Sequence, residues 1–319
     1  MVQCVWGLGW LAFGLGGAAQ AEKPEPLPPT CYLFSYFVSP GTDGLHLAWS
    51  RDGFKWQALK GGRSFLQPTV GEKIMRDPSL LLGPDGIFRL VWTEVGRPLR
   101  IGYASSKDLI TWSAQEEPKV MASEPTARNC WAPIVDYDEV NQRYQIVWSS
   151  TIPGQFPDTA NKTENDFNHR FYVATTTDFK SFAPAKLFYD PGFCAIDATI
   201  LQANHKFYLI FKNETDRPFP QKNLWMATSD AMAGPYGNLT GTIATNPSSG
   251  VEGPTAIKIG DSYFLYYDCY YAGHLGVVQS DHLHVWKDVS SRLSMPVGIR
   301  HGSVLAVPSR VIENLLKVR

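Results

Sequence analysis

The sequence predicts an all-β chain folded as a five-bladed β-propeller, and three observations predict it. A short phrase recurs five times: LHLAWSRDGFKW (45–56), RIGYASSKDLITW (100–112), FYVATTTDFKSF (171–182), LWMATSDAMAGPY (224–236) and LGVVQSDHLHVW (275–286). Two further apolar strands precede four of the copies, at a period of roughly 45–65 residues, the length of a propeller blade. One copy lacks its leading strand, and a matching strand stands at the far end of the chain as HGSVLAV (301–307).

The elements follow in order. Inner strands read DPSLLL (77–82), APIVDY (132–137), DATILQ (197–202) and GPTAIK (253–258). Aromatic and β-branched runs come next: GIFRLVWTE (86–94), RYQIVWSS (143–150), KFYLIFKN (206–213) and SYFLYYD (262–268). Their period-two character marks strands, and the turns between are short and polar, such as GPDG (83–86) and GD (260–261). A variable loop leads into the repeated phrase, read as a third strand, a Ser/Thr-Asp turn and a short aromatic strand. The split blade has YLFSYF (32–37) as its middle strand. Pairing it with 301–307 closes the ring and removes the open sheet edges. A six- or seven-bladed ring has no further repeats to draw on, and a β-sandwich leaves the repeat unexplained.

Composition bounds the function. Apolar residues make up 44% of the 319 and charged residues 18%, with a net charge of −1, so the electrostatic basis for nucleic-acid binding is missing. The 13% aromatic content suits β-structure and sugar-stacking surfaces alike. An apolar run ending in Ala19-Gln20-Ala21 has the form of a signal-peptide cleavage site, followed by a Pro-rich stretch. The expected organisation is a signal over 1–21, a linker over 22–30 and one catalytic domain over 31–319, secreted or periplasmic and not membrane-bound once cleaved. Cys31, Cys130, Cys194 and Cys269 match no zinc spacing and are too few for a disulfide scaffold. Cys130 and Cys194 precede inner strands of adjacent blades, which makes them the one candidate disulfide pair. Sequons stand at Asn161, Asn213 and Asn238.

Inner strands converge on a central channel at their N-terminal ends. Those ends read Arg76-Asp77-Pro78, Trp131-Ala132-Pro133, Ile196-Asp197-Ala198, Glu252-Gly253-Pro254 and Arg300-His301-Gly302. Asp is favoured in turns, which accounts for one acid but poorly for three in otherwise equivalent places. Three carboxylates on separate blades can hold separate environments. Glycoside hydrolysis needs that: one acid protonated for the leaving oxygen, one ionised to activate water, and a third raising the pKa of the acid by repulsion.

These motifs, RDPSLLL, WAPIVDY, IDATIL, EGPTAIK and RHGS, resemble those of family 43 glycoside hydrolases and their relatives over nearly all of residues 32–307. The resemblance implies a five-bladed propeller and an inverting exo-glycosidase on polysaccharide fragments, acting on arabinofuranose, xylose or galactose residues. It implies Asp77 as general base, Asp197 as pKa modulator and Glu252 as general acid, with Glu252 protonated and its pKa raised mainly by Asp197. Arg76-Asp77-Pro78 is also similar to the retaining invertase-like propellers, but their Asn-Asp-Pro nucleophile and Glu-Cys acid are absent here.

Arg76, Trp131, Arg300 and His301 are the expected substrate-binding residues. The arginines, Arg128 included, either pair with the carboxylates or grip a substrate hydroxyl or carboxylate. Trp131 suits a sugar-stacking wall, whereas Trp92 and Trp148 lie mid-strand and read as core. His301 is expected to hold water, or through water an ion such as calcium, beneath the sugar; no cofactor is required, and no residue is assigned as a metal ligand. His282 and His284 read as solvated. Long loops at 149–169 and 212–223 return to the catalytic face and are expected to wall a pocket. The rival functions are a non-catalytic carbohydrate-binding propeller and a glycoside phosphorylase, which needs a basic phosphate site.

Overall fold

The structure is a computed structural model that describes residue 1 and residues 26–96, 99–244 and 250–318. The expected signal segment and the start of the linker lie outside the described residues. Five antiparallel sheets make five blades. The first combines β1 (Thr30–Val38), β2 (His46–Ser50) and β3 (Gln57–Ala58) with a strand from the far end of the chain. The second holds β4 (Arg76–Leu82), β5 (Phe88–Thr93) and β6 (Gly102–Ser106). In the third are β7 (Trp131–Asp138), β8 (Arg143–Ser150), β9 (Arg170–Thr176) and β10 (Lys186–Tyr189). The fourth runs through β11 (Ala195–Ala203), β12 (Lys206–Asn213), β13 (Asn223–Ser229) and β14 (Gly237–Ala244). The fifth has β15 (Glu252–Ile259), β16 (Ser262–Cys269), β17 (His274–Ser280) and β18 (Lys287–Asp288). Strand β19 (Ile299–Pro308) then pairs with β1 from Thr30↔Pro308 to Val38↔Ile299, closing the ring as expected. Helix α1 (Ser309–Leu315) follows and buries Ile312 and Leu315.

Buried apolar side chains gather in five clusters, one between each pair of neighbouring blades. Trp92 and Trp148 are fully buried at two of these seams. The inner strands are joined to their neighbours by hydroxyls near the strand starts in three blades, Ser79, Thr255 and Ser303. Val135 N–H donates to Ser79 Oγ at 3.3 Å, Val304 N–H to Thr255 Oγ1 at 3.0 Å and Leu80 N–H to Ser303 Oγ at 2.8 Å. Backbone groups at a sheet edge need such partners when water is excluded.

The repeated phrase forms the outer turn. Ser50 Oγ accepts Gly53 N–H at 2.9 Å, and Asp52 Oδ1 accepts Phe54 and Lys55 N–H at 2.8 and 2.9 Å. The same pattern recurs at Ser106–Asp108 and Thr176–Asp178. Gly53, Leu109, Phe179 and Leu283 take left-handed φ of 78, 63, 59 and 66° at the corresponding place. The aromatic residue of the phrase belongs to this turn, not to a strand. Trp56 precedes β3, and the outer strands of the third and fourth blades begin at Lys186 and Gly237, past Phe182 and Tyr236. In the second blade the expected fourth strand is reduced to the bridges Ser106↔Trp112 and Tyr103↔Glu116. The side-chain bonds of the turn absorb backbone groups that a ladder would otherwise use.

Cys130 and Cys194 are both buried and unbridged, so the candidate disulfide does not form. Cys194 Sγ accepts His169 N–H at 3.2 Å and contacts the Phe167 carbonyl at 3.6 Å. Asn213 ends β12 at 4% exposure, with its side-chain oxygen on Thr215 N–H at 3.0 Å, a poor place for a glycan. Asn161 and Asn238 are exposed.

Candidate active site

Every inner strand opens with a bulge, and the bulge aims the site. Register shifts fall between Arg76 and Ser79, Trp131 and Ile134, Ile196 and Ala198, Glu252 and Thr255, and Gly302 and Arg300. The extra residue takes left-handed φ in four blades: Asp77 at 52°, Ala132 at 47°, Asp197 at 56° and Gly253 at 54°. A bulge re-aims a side chain, a device common beside active sites. Asp77, Asp197 and His301 therefore share one structural position, while Glu252 stands one residue earlier, level with Arg76, Trp131, Ile196 and Arg300. Gly253 fills the bulge beside Glu252, because a Cβ there would lie 2.1 Å from His301 Cβ.

Asp77, Asp197, Glu252, Arg76 and His301 line one cavity of about 220 Å³, with Trp131 on its wall. His301 Nε2 lies 2.9 Å from Asp77 Oδ1. Asp197 Oδ2 accepts the Gly253 N–H at 3.1 Å, which ties two inner strands together at the site. Glu252 is held by two cations, Arg300 Nη2 at 2.9 Å and Lys212 Nζ at 3.2 Å. Arg300 Nε also reaches Asp268 Oδ2 at 2.5 Å.

The three carboxyls are not shifted alike: Asp77 and Glu252 are lowered and Asp197 is raised. Burial alone would raise Asp77, but the His301 charge and hydrogen bond, with Arg76 and Thr93, hold it at about 2. Burial pushes Asp197 up to about 6, helped by the Glu252 and Asp77 charges and opposed by His301 and Lys212. Glu252 departs from expectation. Burial raises it, yet Lys212, His301 and Arg300 outweigh that and leave it below the usual range. The carboxylates hold His301 at about 9 against its own desolvation, so the imidazole is cationic at neutral pH.

Lys212 was not expected from the sequence, and its absence explains the misjudged Glu252. It is 3% exposed and lies 2.6 Å from Glu214 Oε2 as well as 3.2 Å from Glu252. Its register has a logic. Directly across from the residues at the inner-strand starts stand Phe37, Thr93, Ser149, Lys212 and Asp268. Thr93 bonds Asp77, and its oxygen accepts Ala132 N–H at 2.7 Å; Lys212 and Asp268 reach the Glu252 pair. The signal is legible in four blades: Trp-Thr, Trp-Ser, Phe-Lys and Tyr-Asp, a polar residue after an aromatic one near the end of the second strand.

The remaining candidates separate. Arg300 pairs with carboxylates. Arg76 lies over the Phe37 ring at 5.3 Å and forms no ion pair among the described residues. Arg128 turns away, donating to the Asp166 carbonyl at 2.8 Å. Trp131 is half-buried against Phe167 and His169, with centroids 4.8 and 5.4 Å away. His282 and His284 are exposed. The loops after β8 and β12 do return to this face. Phe167, Glu214 and Asp216 from them line a second cavity of about 250 Å³ beside the first.

Comparison with known proteins places this architecture. Residues 28–313 match a family model described as a probable glycosyl hydrolase domain, related to glycoside hydrolase family 43. An α-L-arabinofuranosidase of Bifidobacterium longum subsp. longum is 22% identical over 278 residues, which is 75% of this chain and 26% of that protein. The chain thus spans about a quarter of that curated relative's length. Among solved structures, an α-L-arabinofuranosidase from Lactobacillus brevis superposes with TM-score 0.56 at 16% identity, covering 68% of this chain and 72% of that one. A thermostable family-43 glycoside hydrolase gives 0.52 at 18%, covering 70% and 75%. A family 43 enzyme from Xanthomonas citri, complexed with xylose, gives 0.51 at 15%, covering 66% and 72%.

Proposed function

The chain belongs to the family of probable glycosyl hydrolase domains related to glycoside hydrolase family 43, and on that premise we propose that it is an inverting, exo-acting glycoside hydrolase. Its substrates are plant or microbial polysaccharide fragments ending in arabinofuranose, xylose or galactose. One observation carries the reading: three carboxyls from three blades meet in one cavity beside His301, Asp77 and Glu252 held low by cations and Asp197 raised by burial. Export, resting on the apolar run before Ala21, is part of the same proposal.

Asp77 is the base. Ionised at any working pH and steered by His301 and Thr93, it takes a proton from water as that water attacks the anomeric carbon. Glu252 gives its proton to the departing oxygen. Because Lys212 and Arg300 favour its ionised form, the protonated fraction grows toward acid pH, so the working range lies on the acid side. Asp197, the carboxyl most disposed to hold a proton, is tied to the backbone beside Glu252 and tunes it.

His301 meets Asp77 through Nε2, the nitrogen that donates, so that atom offers a metal no lone pair. An ion near it, such as calcium, would be held through water, and no step here uses one. Convergence of the carboxylates supports catalysis over a binding-only propeller. Of the three arginines weighed for a phosphorylase, Arg300 is committed to carboxylates and Arg128 to a carbonyl, and Arg76 alone at the cavity is a poor phosphate site, which favours water as nucleophile. The test is a panel of aryl arabinofuranosides, xylosides and galactosides, with the product anomer read by NMR. Hydrolysis with inverted configuration is expected; retention, or dependence on phosphate, would overturn the mechanism.

A further inference from the structure

The second cavity shares Trp131, Ile196, Lys212, Glu214 and Glu252 with the first, so Glu252 stands in the partition between them. If Glu252 protonates the departing oxygen, the group beyond the partition is the leaving group. This step rests on the hydrolase reading above. The walls there are aromatic: Trp131, Phe167, Tyr270 and Tyr271. Tyr271 is 73% exposed with its ring 4.3 Å from that of Tyr270, an open platform of the kind sugar rings stack upon.

Charge decides which sugar can use it. Four carboxylates, Glu164, Glu214, Asp216 and Glu252, line this cavity against two lysines, Lys212 and Lys222. Each lysine is already clasped by two of them. Lys212 lies 2.6 Å from Glu214 and 3.2 Å from Glu252, and Lys222 lies 2.8 Å from Glu214 and 2.9 Å from Asp216. His169 adds no charge, since burial and nearby cations hold its pKa down at about 3. Arg128 is not among the lining residues; it lies over the Phe167 ring at 4.2 Å and donates to the Asp166 carbonyl. Among the described lining residues no cation is left to meet an incoming anion, and the surplus charge is negative.

We infer that the leaving-group side of this site accepts uncharged glycosyl units and rejects uronic acids. A carboxylate entering it would face like charge without a partner, which suppresses wrong ligands strongly in a partly buried cavity. Neutral side branches and backbones are substrates under this assignment; galacturonate- or glucuronate-linked residues are not.

The experiment uses two chromogenic substrates with one glycon, whichever of the panel is turned over: the 4-nitrophenyl and the 3-carboxy-4-nitrophenyl glycosides. The carboxylated one should show kcat/KM lower by roughly tenfold or more at low salt. The Glu164→Lys variant, altered at an exposed side chain, should narrow that gap several-fold, and the narrowing cancels any intrinsic difference in leaving ability. Equal turnover of the two substrates, or a gap indifferent to Glu164→Lys, would overturn the inference. Should no glycoside be hydrolysed, the hydrolase reading fails separately. Calorimetry with xylotriose, galactotriose and trigalacturonate then decides: binding of a neutral trisaccharide alone upholds charge selection, and binding of trigalacturonate, or of none, refutes it.

Discussion

The outer turns and the inner-strand starts are built on equally regular backbones, yet only one of them repeats its side chains. At the rim, Ser50–Asp52, Ser106–Asp108 and Thr176–Asp178 make the same bonds to the same backbone groups. At the channel, the equivalent bulge positions carry Asp77, Ala132, Asp197, Gly253 and His301. A turn has the same task in these blades, so one solution recurs. The inner ends share a geometry and differ in chemistry: one carboxyl held low, one raised by burial, a cation, and two small residues.

The sharpest break in this contrast is at Asp77. Asp77→Asn should lower kcat by about 10²–10⁴-fold on good and poor leaving groups alike, because water activation is needed for both. Glu252→Gln should match it on natural substrates but lose far less on an activated aryl-glycoside. Near-wild-type rates in both variants would end the catalytic assignment. Circular dichroism and thermal melts should show both folded.

Next comes the fold beneath. Trp92→Ala, at a seam between blades, should cost about 3–5 kcal/mol in denaturant titration. A loss below about 1 kcal/mol would mean that the seams do not carry the ring.

Lys212 tests the electrostatics. Removing it as Lys212→Met should raise the Glu252 pKa and move the basic limb of the kcat/KM profile to higher pH, while Lys212→Arg should hold it near wild type. An unmoved limb in Lys212→Met would remove Lys212 from the control of the acid. His301 gives a stability counterpart. Its folded pKa of about 9 exceeds the ordinary 6.5, so its contribution is fully present below pH 6.5 and lost as pH rises through about 9. Asp77 has the opposite sign, with stability present above 3.8 and lost as pH falls through about 2. Between pH 6.5 and 9, stability should therefore drop by on the order of 2–3 kcal/mol, and His301→Gln should flatten the dependence.

The rim supplies the smallest effect. Asp108→Ala should cost about 1 kcal/mol and leave kcat/KM untouched. A changed rate would mean that rim and channel are coupled.

What could be read from the sequence follows the same division. The repeat, the split blade and its closure by 301–307 were legible because five copies of one turn announce themselves. Asp77, Asp197 and Glu252 stood out as acids that broke an otherwise regular pattern. Lys212, Thr93 and Asp268 share a pattern visible in the sequence, but each sits in a second strand, and its meaning depends on which residue lies across the ladder. The fate of Glu252 depended on Lys212, so its protonation was misjudged with it. The aromatic of the repeated phrase was assigned to a strand because alternation cannot distinguish a strand residue from a turn anchor.

The clasp between β1 and β19 also has a temporal meaning. During synthesis the first blade waits for its inner strand until the other four blades have been made, since Val38 must find Ile299 and Thr30 must find Pro308. Contacts so distant along the chain form slowly. His301 rides on that last strand, and Asp77 is steered only once it arrives. Four blades without that strand lack the His301 contact to Asp77, so under the proposed mechanism the domain would gain its base in the same event that closes its ring.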